Sequence, residues 1–385
     1  MPAGEGFFLP PYPYDRLDEI AEIGKRHDGG LVDLSVGTPC DPPPPRVVEA
    51  LSSSGAERGY PASVGSAAFR TAASSWVGRR FGVGLDPAHV AACVGTKELV
   101  ATVAWGLRLR NPERDTVLHP SVAYPTYAFS AEMARCRALG VPERASGGMD
   151  LGSISEEDAA RALVLWLNSP SNPTGSLTDL GEAAEWGRAR GVPVFSDECY
   201  AELTWQGEPS TVLASGSEGV VAVHSLSKRS NLAGIRAGFF AGDPDIVSWL
   251  AELRRHAGLM VPGPVQAAAV EAFEDDAHAS EQRERYRRRL VRLAEILRSH
   301  GMQASMPAGG LYLWVPVPEW ATGKDPERPA WVLAGRLAEA GGMLVSPGDL
   351  YGEAGAGFVR VAAVQPDDRI ELVAERLANS AITLG

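Results

Sequence analysis

Lysine is scarce in this sequence of 385 residues: only Lys25, Lys97, Lys228 and Lys324 stand among its 36 basic residues, and the rest are arginine. Cysteine is sparse too. Cys40, Cys93, Cys136 and Cys199 lie too far apart for metal-ligand or redox spacing, so no metal site is expected. Four reduced thiols in a cytoplasmic protein are the expectation. Positive charge is not in excess, because 48 acidic residues leave a net charge of −12. That balance argues against nucleic acid or an anionic membrane as a partner, since both require a basic face. No run approaches the roughly 18 apolar residues of a membrane-spanning helix. The opening MPAGEGFFLPPYPYDRL has neither a basic region nor an apolar core, so no signal peptide is expected.

What is present is ordinary globular composition, 45% hydrophobic and 22% charged, which excludes a disordered chain. The N-terminal segment is rich in proline and aromatics (Phe7, Phe8, Tyr12, Tyr14) and runs into an amphipathic helix around 15–27. Leu31 to Val36 reads as a strand ending at Gly37, and Asp41 with Pro42 to Pro45 reads as a connector. From about residue 46 the pattern is α/β. Helical stretches (66–81, 97–108, 179–190) alternate with the apolar runs Thr116–His119, Ala162–Leu167, Val192–Ser196, Val220–His224 and Ala237–Ala241, which suit buried parallel strands. After about 275 come an arginine-rich helix over 279–300, read as a solvated face, strand-like pieces around 302–316 and 357–363, and helices at 329–341 and 367–378. That last part reads as an α+β cap. There is no internal repeat.

In open parallel sheets ligands sit at the carboxyl ends of strands, so the turns there are where chemistry is expected. Four carry unusual residues. Asn168-Ser-Pro-Ser-Asn172-Pro-Thr-Gly175 displays an amide, although turn-formers alone also explain it. Ser196-Asp197-Glu198-Cys199-Tyr200 places a carboxylate and a phenol after a buried strand; a helix N-cap at Asp197 is the plainer alternative. The run from His224 to Gly238 collects Ser225, Ser227, Lys228 and Arg236, a set suited to a dianionic phosphate and a reactive amine. Gly95-Thr96-Lys97-Glu98 opens a helix, where free N–H groups favour an anion. Lys228 and Lys97 are the two candidates for a reactive amine, whereas Lys25 and Lys324 read as surface residues.

Taken in order, these turns supply what pyridoxal phosphate needs: a Schiff-base lysine, a carboxylate for the pyridine nitrogen, donors for the ring oxygen and a phosphate cup. On SPSNPTG, SDECY, SLSK and the following arginine, the chain resembles the class I/II pyridoxal-phosphate aminotransferases of fold type I over nearly its whole length. HSLSKRSNLAGIRAG, RRHAGLMVPGPVQAA and PGDLYGEAGAGFVRVA make it most similar to the actinobacterial type of N-succinyldiaminopimelate aminotransferase, of lysine and diaminopimelate biosynthesis. The resemblance implies an α/β fold with a large cofactor-binding domain (46–275) around a mostly parallel central sheet. A smaller α+β domain would be drawn from both termini (1–45 and 276–385).

The resemblance also implies roles. Lys228 would form the Schiff base and move the proton, Asp197 would hold the pyridine N–H, and Tyr200 and Asn172 would bond the ring oxygen. Tyr124 would stack on the ring. Thr96, Lys97, Ser225, Arg236 and, less directly, Ser227 would surround the phosphate, and Tyr60 would reach the phosphate of a neighbouring subunit in a homodimer with shared sites. Arg360 would fork onto the substrate α-carboxylate, with Gly37 and Asn172 beside it. The substrates would be amino acids and 2-keto acids, in two half-reactions with glutamate as donor and N-succinyl-2-amino-6-ketopimelate as acceptor. Aminotransfer to aspartate-, alanine- or kynurenine-type acids and C–S β-lysis stay open, since cofactor residues do not separate them. A transcription regulator would need an upstream DNA-binding domain, and a nicotinamide oxidoreductase would need a G-x-G-x-x-G turn after a strand, which is absent. Tyr12 and Tyr14 are candidates to cover the pocket.

Overall fold

A computed structural model describes residues 9–380; Phe7 and Phe8 lie outside them. Seven strands form one sheet: β1 Val90–Cys93, β2 Thr116–Pro120, β3 Arg137–Val141, β4 Ala162–Asn168, β5 Val194–Asp197, β6 Val220–Ser225 and β7 Gly238–Gly242, in the spatial order β1-β7-β6-β5-β4-β2-β3. All pairs are parallel except those of β7, which runs antiparallel to β1 and to β6. The expectation of a parallel strand at 237–241 is corrected here. A one-turn helix Leu226–Arg229 and a 3-10 turn Ala233–Ile235 bring the chain straight back beside β6, and a parallel return would need a crossover helix.

Both sheet faces are covered, which is why the strands read as continuous apolar runs. Along β4, Leu165 and Leu167 point into a core with Trp76, Phe239 and Phe273, while Val164 and Trp166 point into another with Val103, Val117 and Phe195. A third core joins Leu17, Val32 and Leu34 to Leu293, Leu313, Leu337, Val361 and Leu377. There, residues 32–33 pair with 343–344, and Tyr312–Pro316, Phe358–Ala362 and Ser346–Pro347 make a three-stranded antiparallel sheet. The expected strand at 31–36 is thus only two residues long. Pro44 caps and Pro45 opens the helix Pro45–Ser53, where a missing N–H costs nothing.

The helix Asp276–Ser299 is not simply a solvated face. Arg289 is buried between Asp41 (2.6 and 2.8 Å) and Asp367 (2.8 Å), and Arg283 donates to the carbonyls of Glu202 and Thr204. The arginines on its inner face fasten the proline-rich connector and the segment after Asp197. Among the described residues no helix is long and apolar enough to cross a membrane.

Candidate active site

Strand register brings the turns together. Asn168, the last residue of β4, pairs with Asp197, the last of β5, and Ser225 ends β6 opposite Gly238. Asn168 donates its amide to the Asp197 carbonyl (2.9 Å) and accepts the Asn172 N–H (2.7 Å), so it ties two strand ends and aims Asn172. Around these ends lies a cavity of about 370 Å³. Lys228, Asp197, Tyr200, Asn172, Ser225, Ser227 and Arg236 line it at the strand ends, with Thr96, Tyr124, Gly37 and the buried Arg360, and the exposed Tyr12 and Lys97 mark its mouth. Tyr60 is outside it, fully exposed in a separate depression with Val247, Arg255 and Met260.

The electrostatics differ from point to point. Lys228 donates to the Gly37 carbonyl, and burial, with Arg360 and Arg236 nearby, pushes its amine down to about 8. Asp197 is not a helix N-cap. Burial raises its carboxyl, opposed by hydrogen bonds from the Cys199 N–H (3.2 Å) and the Tyr127 hydroxyl (2.9 Å). An ionised acid buried among neutral donors gains from a cation in the cavity. Ser225 accepts the Ser227 N–H (3.0 Å) and opens the short helix that carries Lys228.

Arg236 has φ +59°, ψ +54°, a left-handed backbone that a residue with a Cβ adopts only where its surroundings demand it. Its guanidinium is held by the Ala233 carbonyl (2.8 Å) and occupies the space a side chain at Gly95 would need. Gly95 has φ +73°, so glycine suits that turn twice over. Thr96, at the start of the helix Thr96–Arg110, touches the Cys199 thiol (3.3 Å). Lys97 turns the other way, toward the mouth, where it donates to the Tyr12 hydroxyl (3.2 Å). Burial works to lower its amine, but the Tyr124 and Tyr12 hydroxyls outweigh this and raise it.

Arg360 is wholly buried. It donates to Asn172 Oδ1 (2.7 Å) and to the Ser35 carbonyl, and its guanidinium lies between the rings of Tyr312 (4.1 Å) and Tyr351 (4.6 Å). Among the described residues its Nε has no hydrogen-bond partner, which leaves donor capacity that a carboxylate would satisfy. Tyr351 meets the Tyr14 hydroxyl (3.1 Å), and Tyr312 meets Tyr200 (3.0 Å).

Tyr127, Tyr312 and Tyr351 are contributors that sequence reasoning missed. Tyr127 follows Tyr124 by three residues in AYPTYAF, the single hint available; Tyr312 lies in the strand-like piece at 302–316 and Tyr351 in PGDLYGEAGAGFVRVA, where neither was singled out. Tyr12 and Tyr14 do line the cavity.

This donor set fits pyridoxal phosphate: a desolvated lysine, a buried acid lacking a cation, a cup of Ser225, Thr96 and Arg236, and phenol and amide donors beside Lys228. Residues 30–377 match the family model for aminotransferase class I and II. The chain is 45% identical, over 96% of its length and 85% of the other's, to the probable aminotransferase Rv1178 of Mycobacterium tuberculosis. It is 42% identical, over 96% of its length and 99% of the other's, to the 4-dedimethylamino-4-oxo-anhydrotetracycline transaminase OxyQ of Streptomyces rimosus. Among solved structures, a probable N-succinyldiaminopimelate aminotransferase from Thermus thermophilus matches with a TM-score of 0.83 at 32% identity, covering 95% of this chain and 99% of that one.

Proposed function

The chain belongs to the class I and II aminotransferases, which use pyridoxal 5′-phosphate, and from that premise we propose that it moves the amino group of glutamate to N-succinyl-2-amino-6-ketopimelate. One observation carries the choice of acceptor. Lys97, an exposed cation, lines the cavity with its amine on the Tyr12 hydroxyl (3.2 Å) and 6.0 Å from the Tyr124 ring. An acceptor with carboxylates beyond the one at the reacting carbon would meet Lys97 after Arg360 has taken the first. The similarity to the Thermus protein of that name agrees with this reading.

The residues divide the work. Asp197 would hold the ring nitrogen, Tyr200 and Asn172 the ring oxygen, and Ser225, Thr96 and Arg236 the phosphate, with Lys228 as the covalent anchor and Tyr124 against the ring. Bound there, the cofactor supplies an electron sink beside the substrate's α-carbon. Arg360 would fix the α-carboxylate in the cavity that Lys228 also lines. Once a substrate amine has taken the place of Lys228 on the cofactor, the released Lys228 amine, lowered to about 8 by burial, would be the group that takes the α-carbon proton. Tyr12 and Tyr14 limit water at the mouth.

A second reading rests on the 42% identity to the Streptomyces transaminase: an aromatic polycyclic ketone could lie against Tyr12, Tyr14 and Tyr124. The test is amino transfer from glutamate to a panel of succinyl-ketopimelate, oxaloacetate, pyruvate and an anhydrotetracycline-type ketone. The first should lead by tenfold or more in kcat/KM, and Lys97→Met should remove about tenfold of that lead, the low end for losing one member of a close charge pair. Equal rates for the first three would overturn the acceptor assignment, and preference for the polycyclic ketone would establish the second reading. Thiol and pyruvate release from a cysteine conjugate would indicate lyase chemistry instead.

A further inference from the structure

Behind the Gly95-Thr96 turn lies a partly buried ion pair that no step above uses. Glu98 stands in the first turn of the helix Thr96–Arg110, two residues after Thr96. Its Oε2 accepts the Val94 N–H (3.2 Å), so the carboxylate clasps the backbone on the far side of Gly95. Its Oε1 accepts the Thr102 hydroxyl (3.1 Å). Onto this carboxylate Arg254 forks in a two-pronged pair, Nη1 to Oε1 at 2.6 Å and Nη2 to Oε2 at 2.7 Å. Arg254 is 3% exposed, near the end of the helix Pro244–His256 and packed against Phe240 of β7. It belongs to the RRHAGLMVPGPVQAA stretch, whose function is otherwise unassigned.

The arrangement answers an electrostatic problem. A helix N-terminus attracts a dianion through its free N–H groups and dipole. An unpaired carboxylate in its first turn, only one-fifth exposed, would work against that attraction. Glu98 nevertheless gives the turn its shape by holding Val94 N–H. Arg254 cancels the charge and leaves the shape. We propose that Arg254 and Glu98 are a positioning pair that sets the phosphate turn Gly95-Thr96 from behind. The proposal rests on the reading of this cavity as a pyridoxal-phosphate site.

The test compares pyridoxal phosphate with pyridoxal, which lacks the phosphate, in binding to the apoprotein. Dissociation constants would be read from quenching of protein fluorescence, and capture by Lys228 from mass after borohydride reduction. In Arg254→Met, pyridoxal phosphate should bind about tenfold to a hundredfold more weakly, the low end for breaking a close charge pair, while pyridoxal binds as in the wild type. The double variant Glu98→Gln with Arg254→Met keeps an acceptor for Val94 N–H without a charge. It should return to within about threefold of wild-type affinity, because removing both charges removes the repulsion. An equal loss for both ligands, or no rescue in the double variant, would overturn the pair's role at the phosphate and leave it a fold-stabilising contact. If Arg254→Met does not fold, Arg254→Lys, which keeps the charge and loses the fork, should bind pyridoxal phosphate between the wild type and the double variant; binding weaker than the double variant would also overturn the proposal. Failure of the wild type to bind pyridoxal phosphate would instead refute the reading of the cavity.

Discussion

The floor and the mouth of the cavity are built differently. The floor comes from consecutive strand ends, from Asn168 to Arg236, and is held by main-chain register, by caps such as Ser225 and by the Asn168 bridge. The mouth and the wall behind it come from segments far apart in the chain: Tyr12 and Tyr14 at the opening, and Gly37, Tyr312 and Arg360, backed by Tyr351, inside. They are held by side chains meeting side chains, Tyr14 on Tyr351, Tyr200 on Tyr312 and Arg360 on Asn172. A floor anchored by backbone keeps reacting groups in place. Residues anchored by side chains meet that floor at a few points, Arg360 on Asn172, Tyr312 on Tyr200 and the Gly37 carbonyl on Lys228.

That difference can be broken at several points. Lys228→Ala should do most, lowering turnover by about 10⁴-fold, the upper range for losing a general base, and abolishing the borohydride-trapped cofactor adduct seen by mass spectrometry. Retained activity would show that the floor does not carry the chemistry. Next, Arg360→Lys keeps a charge but loses the fork. It should cut kcat/KM for both donor and acceptor by about 10² to 10³, consistent with a buried charge pair worth several kcal/mol; an effect on only one substrate would remove Arg360 from the shared carboxylate role.

A pH test sharpens the floor further. The Lys228 amine is lowered, so its neutral, nucleophilic form gains population as pH rises toward 8 and is saturated above it. Capture of pyridoxal phosphate by the apoprotein, followed by stopped-flow absorbance, should rise about fiftyfold from pH 6 to 8 and then flatten. A rise continuing past pH 10 would mean an ordinary exposed lysine. The smallest effect belongs to Tyr312→Phe. Losing the Tyr200 contact while keeping the ring on Arg360 should lower kcat about threefold to tenfold, near the worth of one buried hydrogen bond, with KM little changed. A large rise in KM would assign the hydroxyl to substrate instead.

The floor was legible in the sequence because each polar set follows an apolar run, and a parallel strand buried on both faces cannot hide what comes after it. The direction of β7 was not, since periodicity says nothing of how a short return pairs. Arg283 and Arg289 looked solvated within a charge run, and only packing against the 41–45 connector and the Glu202–Thr204 segment turns them inward. Tyr312 and Tyr351 carried no local signal that singled them out, yet both are buried with their rings on Arg360.

The rarity of lysine and the four strand-end turns determined by themselves where a reactive amine and an anion cup could be. The tertiary structure alone decided which partners each group meets. It turned Lys97 outward to Tyr12 rather than into the cup, set Arg254 on Glu98, and placed Tyr127 on Asp197. The reason is physical: local pattern specifies what a residue is and which face of its element it occupies. Neighbours distant in the chain are chosen by how the cores close over the sheet and fix the distances between them.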